Sequence, residues 1–146
     1  SKETLGRRKT TIEKIKRQPQ TPKTVEQHLE GASVELKQLF NNLNEKIMGI
    51  SSEVERYTTR AEIIYKTSLN FAYLAIRNRK NSIRCLLRTG HEKINDPKKL
   101  TTKIPKTFGY GNITRQVFVS PKDMGSNKYD MDDVLDLLEQ SYRSTQ

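Results

Sequence analysis

Acidic residues near a lysine form the first pattern in this chain that could do chemistry. Glu53, Glu55 and Glu62 all precede Lys66. Carboxylates that hold Mg²⁺ beside a lysine that steadies the attacking water would suit metal-dependent hydrolysis of a phosphodiester. However, Lys66 follows Tyr65 and lacks the adjacent acid that this arrangement requires. We therefore predict a chain with no catalytic residues and no cofactor, and a metal-dependent nuclease stays as the alternative.

Residues that bind metals are present but poorly spaced for a metal site. His28 and His91 are isolated, with no Cys, His or Asp at ligand spacing on a shared element. A run of aspartates between residues 130 and 136 suggests Ca²⁺, yet it has neither a glycine at the turn nor a closing glutamate. These aspartates suit a helix start instead, and no metal site is predicted.

Cations that alternate with aromatic and aliphatic residues mark the region from residue 53 to residue 90. Successive residues of a strand face opposite sides of a sheet, so one side can be core while the other carries cations into solvent. Such cations can contact phosphates while aromatic rings stack on bases. The predicted nucleic-acid-binding residues of this region are Lys66, Tyr73, Arg77, Arg84 and Arg88.

The alignment of these cations depends on strand register. Arg84 and Arg88 share the parity of Leu86, whereas Arg77 shares the parity of Phe71 and Tyr73. A shift of one residue in the pairing would send the two sets to opposite faces. If the aromatic residues are instead core, the arginines form an ordinary solvated face.

A second group of lysines lies near two glycines. These glycines belong to the segment Phe108–Asn112, and the backbone N–H groups of such a turn can approach an anion closely. The spacing matches no phosphate-binding loop, so a plain structural turn remains open. Asp96 and Pro97 at the start of the region are predicted to begin a helical turn. The further predicted nucleic-acid-binding residues are Lys98, Lys99, Lys103 and Lys106.

Charge is unevenly distributed along the 146 residues, whose formal net charge is +10. Residues 1–23 hold eight Lys and Arg against two Asp and Glu, and residues 121–146 hold three against six. We interpret residues 1–23 as a basic linker or disordered tail and residues 24–146 as a single domain. The basic balance favours an anionic partner such as nucleic acid, although a solvated surface has a similar composition.

The single cysteine, Cys85, excludes an intramolecular disulfide, and it falls in an apolar strand where it suits a small buried residue. No apolar run approaches the roughly 18 residues of a membrane span, and no signal peptide is visible. We predict a cytoplasmic location with no membrane partner.

The order of the predicted elements favours an α+β fold with an antiparallel sheet of four to five strands and N-terminal and C-terminal helices packed on one face. Thr24 and Ser33 are predicted to cap two helices, of which the second ends at Gly49. A closing helix is predicted from Asp130 to Arg143. The predicted strands cover residues 53–57, 61–67, 71–77, 82–88 and 113–120.

Four short segments in order resemble an uncharacterised bacterial and archaeal domain family, often labelled "predicted transport protein". The segments are Tyr65–Phe71, Asp96–Leu100, Phe108–Asn112 and Leu137–Tyr142. The resemblance covers nearly the whole chain except the basic tail. It departs at Thr107-Phe108, where family members often have His-Trp, so any role of that histidine is absent here.

The resemblance implies a C-terminal domain of a longer chain, since domains of this family tend to lie at the C-terminus of longer chains, some of which resemble nucleases or other defence-related DNA-processing proteins. Transport has no support in the sequence, because nothing spans a membrane. We therefore expect a non-catalytic accessory module that binds nucleic acid and is appended to such a protein. The alternative is a protein-interaction or self-association domain that pairs through its sheet.

Overall fold

The computed structural model of this chain describes residues 21–89, 93–105 and 111–146. The predicted tail therefore lies almost wholly outside the described residues, as do His91, Lys106 and most of the turn at Phe108–Asn112. Within the described ranges the predicted α+β fold is confirmed, with helices and one antiparallel sheet.

The first two helices begin where capping signals place them. Helix α1 spans Val25–His28, and Thr24 Oγ1 accepts a hydrogen bond from the backbone N–H of Gln27 at 3.1 Å. Helix α2 spans Val34–Met48, begins at the Ser33 hydroxyl and ends at Gly49. A side-chain acceptor at these positions satisfies backbone donors that the first turn leaves unpaired.

The last two helices follow the sheet. Helix α3 spans Pro121–Gly125, a short element that the sequence reading missed, and α4 spans Met131–Arg143. Asp130 caps α4 by accepting from the backbone N–H of Asp133 at 2.9 Å, which explains the run of aspartates as a helix start. None of the helices in the described ranges is long and apolar enough to cross a membrane.

The sheet has six antiparallel strands in the order β1-β2-β3-β4-β6-β5, one more than the sequence predicted. All but β5 match predicted strands to within two residues at each end. The strands are β1 Glu55–Thr58, β2 Ile63–Lys66, β3 Asn70–Arg77, β4 Ser82–Arg88, β5 Thr101–Lys103 and β6 Ile113–Val119.

The additional strand, β5, follows a turn that was predicted to be helical, and that prediction is wrong. The Asp96 carboxylate accepts hydrogen bonds from the backbone N–H groups of Leu100 and Thr101 at 2.9 and 2.8 Å. Lys99 has a φ of 55°, in the left-handed region, so the backbone reverses direction there. The carboxylate therefore closes a tight turn that leads into a strand instead of starting a helix.

Helices α2 and α4 cover one face of the sheet and bury the main core against it. Their apolar stripes include Leu36, Phe40 and Leu43 on α2 and Val134 and Leu138 on α4, all buried. The spacing of three and four residues places each set along one side of its helix. This packing leaves the opposite face of the sheet for the candidate site.

An irregularity between β2 and β3 sends Phe71 into that core. The pairing shifts between Tyr65 and Lys66, so Phe71 does not follow the simple alternation that would place it with Tyr73. Its ring is fully buried and meets the edge of Tyr142 on α4 at a centroid distance of 5.6 Å. Ser141 of α4 fixes the helix here, since its hydroxyl donates to the Phe71 carbonyl.

Candidate nucleic-acid interface

Strand register resolves the parity question for the cations of β3 and β4. Ala75 lies opposite Arg84, and Tyr73 lies opposite Leu86. Side chains directly opposite each other in antiparallel strands point to the same face, and Arg77 shares the parity of Ala75. This face is the one away from α2 and α4. We call it the basic face, after its members Lys66, Tyr73, Arg77, Arg84 and Arg88.

Lys66 reaches the basic face at the end of β2. It lies opposite Glu55 of β1, so a carboxylate shares its corner of the sheet. Beside it, the amide of Asn70 donates hydrogen bonds to the hydroxyls of Tyr57 and Tyr73 at 2.9 and 3.0 Å. These bonds hold the two aromatic rings in fixed positions beside the end of β2.

Arg84 is the member of the basic face whose charge is partly balanced. Its Nη2 lies 3.3 Å from a carboxylate oxygen of Glu62, a residue that is 6% exposed. Ala75, a small residue, lies opposite Arg84 on β3. The ion pair weakens the field of Arg84 but does not remove its other donors, since a guanidinium carries five N–H groups.

Arg77 lies against an aromatic ring that the sequence reading did not select. Its Cζ lies 4.9 Å from the centroid of the Phe118 ring. Ser82 stands opposite Arg77 on the intervening strand, and this small buried residue leaves space for the guanidinium to reach β6. A cation over a ring face is attracted by the ring's quadrupole, so the contact positions both groups.

Two guanidinium nitrogens on the basic face are buried without an acceptor. The Nε atoms of Arg84 and Arg88 have no hydrogen-bond partner in the described part of the chain. A buried donor without a partner costs about 1–3 kcal/mol. Such a group calls for an explanation, and a bound anion or an ordered water is the common one.

A small apolar cluster underlies the cations at one end of the basic face. It consists of Leu86, Ile104 and Ile113, with Tyr73 packed against it. Leu86 is fully buried, and it lies between Arg84 and Arg88 along β4. Arg84 and Arg88 therefore lie beside tightly packed apolar side chains of the sheet.

The lysines after β4 do not join the basic face. Lys98 lies beside the start of α4, where its Nζ donates to Asp133 at 2.7 Å, and this hydrogen bond raises the pKa of Lys98. Lys99 is exposed in the turn before β5. Lys103 of β5 lies opposite Arg115 of β6, and both residues have the parity of the face that the helices cover. The predicted second cluster is thus separated from the first, with Lys106 outside the described residues.

The turn before β5 gives a pH-dependent prediction. Partial burial raises the pKa of Asp96, but hydrogen bonds from Thr101 and from the backbone outweigh it and leave the pKa below its usual range. The Asp96 carboxylate therefore stabilises the fold fully above the pKa that it has in the unfolded chain, which is about 3.9. This stabilisation is lost as the pH falls through the lower pKa of Asp96 in the folded state. Asp96→Asn should cost about 1–2 kcal/mol at neutral pH and less in acid.

Urea unfolding at neutral pH and at about pH 3 measures this difference. Glu53→Gln removes an exposed carboxylate for which the described residues show no side-chain contact, and it serves as the control. An Asp96→Asn cost that stays the same in acid would contradict the assigned role of the carboxylate.

The acidic residues considered for catalysis do not converge. Glu55 lies opposite Lys66 at one end of β2, whereas Glu62 precedes the other end and pairs with Arg84. Along a strand, that separation is about 13 Å. Among the described residues there is no group of three or more His, Cys, Asp or Glu that could hold a metal ion. Burial raises the pKa of the Cys85 thiol to about 12, which leaves it inert at neutral pH.

A pocket between α4 and the turn at Asp96 bears on a small-molecule site. It encloses about 100 Å³ and is lined by the turn and by Asp133, Asp136 and Leu137. Sites for small molecules usually enclose about 300–1,000 Å³. This pocket is too small for that role, so the basic face remains the stronger candidate.

Phe118 and Tyr57 are the candidate residues that sequence reasoning missed. Both are exposed on the basic face, at 39% and 40%. Phe118 is hidden in the sequence because Val117 and Val119 flank it, so the strand shows no alternation of polar and apolar residues. Tyr57 precedes two threonines at the end of a strand of only four residues, which is too short for a clear period.

Comparison with known protein families gives a match over most of the chain. A family model described as "Domain of unknown function (DUF5655)" matches residues 25–145. The predicted membership of an uncharacterised domain family is thereby confirmed, while the organisms and labels of its members stay predictions. No curated protein matches the chain, and no solved structure does.

Proposed function

This chain belongs to the DUF5655 family of domains of unknown function, and we propose that it is a non-catalytic accessory module that binds nucleic acid through the basic face. It would act as part of a larger DNA-processing or defence protein in the cytoplasm. The observation that carries the proposal is the register of β3 and β4, which aligns Arg77, Arg84 and Arg88 on the side of the sheet away from the helices.

Charge supports an anionic ligand. Four cations share the face with the carboxylates of Glu55 and Glu62. Among the described residues, only Glu62 is seen in an ion pair with one of these cations, Arg84. Arginine forks suit phosphate because they donate two parallel hydrogen bonds to it. A row of such forks on a fixed sheet gives a surface that a phosphate backbone can follow.

The buried Nε atoms of Arg84 and Arg88 add a second argument. Each Nε atom belongs to an arginine that is partly exposed. A small rotation of the group toward solvent would give a phosphate oxygen access to Nε and Nη together. Ligand binding would then remove the cost of the unpaired donors, which favours the bound state.

Self-association through a strand edge is the other candidate, and it has less support. The edge strands β1 and β5 have only four and three residues. Short edge strands that carry charged side chains are a common protection against pairing with another chain. Glu55 and Arg56 on β1 and Lys103 on β5 fit that protective pattern.

Salt dependence tests the proposal. Fluorescence anisotropy with labelled single-stranded and double-stranded oligonucleotides should show binding that weakens linearly on a double logarithmic plot of affinity against salt. With four phosphate contacts we expect a slope of about −3, so that a fourfold rise in salt lowers affinity about sixtyfold. Light scattering of the free protein in the same buffer reports its oligomeric state.

The two candidates give different results. Salt-sensitive binding by a monomer supports the module proposed here. No binding at low salt, together with a dimer that forms as concentration rises, would reject it in favour of self-association.

A further inference from the structure

The exposed ring of Phe118 bears on whether the nucleic acid proposed as ligand is single-stranded or double-stranded. It lies on the basic face directly opposite Arg84, with the guanidinium of Arg77 over the ring. Most phenylalanines are inside proteins, and this one is 39% exposed on the basic face. An aromatic ring between two arginines offers a base a surface to stack on and its phosphate a cation on either side.

The position of Phe118 in the sheet keeps the ring accessible. Pairing of β5 with β6 begins at Val117, one residue before Phe118. The ring therefore lies at a corner of the sheet, beyond the last paired residue of the edge strand. From there, Tyr73 lies two strands and two residues away, about 12 Å by standard strand spacings.

The breadth of the sheet disfavours a duplex. Six strands about 4.8 Å apart span about 24 Å, and the major groove of DNA is about 12 Å wide. A sheet of this breadth cannot enter the major groove, so the rings on its surface reach stacked bases only where the duplex is bent and unstacked. A single strand can lie across a sheet and splay its bases onto aromatic side chains.

We infer that the ligand of the basic face is single-stranded nucleic acid and that one of its bases stacks on Phe118 beside Arg77. This inference rests on the proposed function and adds the strandedness and the residue that contacts a base. The cations Lys66, Arg77, Arg84 and Arg88 contact the phosphates, and the choice between DNA and RNA depends on the sugar.

The test separates bases from phosphates. The full chain is titrated with an oligothymidylate, an oligouridylate, an abasic strand of the same length and charge, and a duplex. We expect the better-bound single strand to bind about tenfold more tightly than the abasic strand, the size of effect expected for one stacked base. The sugar of that strand identifies DNA or RNA as the source.

Substitutions at residue 118 assign the effect to the ring. Phe118→Leu should abolish the preference for the base-bearing strand and leave the abasic strand bound as before, while Phe118→Tyr should retain the preference. Val34→Ala is the matched control, because Val34 is an apolar residue that is 67% exposed on α2. Thermal unfolding confirms that each variant is folded.

Failure of the inference can be told apart from failure of the proposed function. Equal, salt-sensitive binding of the base-bearing and abasic strands would overturn the stacking role while leaving charge-based binding intact. A duplex that binds at least as tightly as the single strands would overturn the strandedness. Absence of binding to any of the four at low salt would overturn both.

Discussion

Replacing Arg77 and Arg88 together with glutamine is expected to weaken oligonucleotide binding at least about a hundredfold. Each loses a charge-assisted contact of about 1.5–3 kcal/mol, and every 1.4 kcal/mol is about tenfold in affinity. Neither arginine is seen in an ion pair in the described residues, so the fold loses no charge partner. Anisotropy should also show a salt slope less negative by about 1.4, because two phosphate contacts are gone.

A control of equal charge tests whether position or net charge matters. Lys37→Gln/Lys46→Gln removes two exposed cations from α2, in the helical layer. This variant should bind within about twofold of the unchanged protein, since exposed charges farther away than the Debye length of about 8–10 Å are screened. Equal weakening by both double variants would mean that binding is nonspecific attraction to a basic protein.

Glu62→Gln gives a change of opposite sign. The carboxylate of Glu62 lies 3.3 Å from Arg84 and competes with any phosphate for its guanidinium. Its removal should strengthen binding about threefold, a fraction of one charge-assisted contact. Variants that move affinity in both directions cannot be explained by partial unfolding, which would only lower it.

The sequence was sufficient for the elements whose signals are local. A capping residue and its partner are three positions apart, so Thr24 and Ser33 mark helix starts without knowledge of the rest of the chain. Strand β4 was predicted with its observed ends, Ser82 and Arg88, because polar residues bound its apolar run. Helix α4 followed from a buried stripe over three turns and the Asp130 cap.

Features that depend on distant partners were not predictable. Strand β5 has three residues and exists because Thr101 pairs with Val117, which no local pattern indicates. The turn before it was misjudged because Asp96 can cap either a helix or a tight turn. The difference lies in whether residue 99 adopts a positive φ, which Lys99 does here.

The candidate site divides in the same way. The identity of its cations could be found from their alternation with apolar residues, but their alignment needed the register of β3 with β4. The partners that position the arginines are remote in sequence: Glu62 is 22 residues from Arg84, and Phe118 is 41 residues from Arg77. Composition therefore indicates a class of ligand, whereas the pairing of the strands determines which cations lie together on the basic face.

Phe71→Ala is expected to destabilise the domain by about 3–5 kcal/mol, the usual cost of removing a buried phenylalanine side chain. The ring is fully buried, and it meets the Tyr142 ring at an interplanar angle of 73°, an edge-on contact. Urea unfolding followed by circular dichroism measures the loss. Oligonucleotide affinity of the remaining folded protein should be unchanged, because Phe71 faces the helices.

Tyr73→Ala is the matched control, two residues away on the same strand. Tyr73 is only partly buried, and its hydroxyl accepts a hydrogen bond from Asn70, so its loss should cost about 1–2 kcal/mol. The same change should weaken oligonucleotide binding about fivefold, or about 1 kcal/mol, because Tyr73 packs against the apolar cluster beneath the cations of the basic face and helps to position them. Simple alternation would put both rings on one face and give both variants the same pair of effects. A large loss of stability in Phe71→Ala together with a loss of affinity in Tyr73→Ala therefore requires the irregular pairing between β2 and β3. A loss of affinity in Phe71→Ala with a large loss of stability in Tyr73→Ala would contradict it.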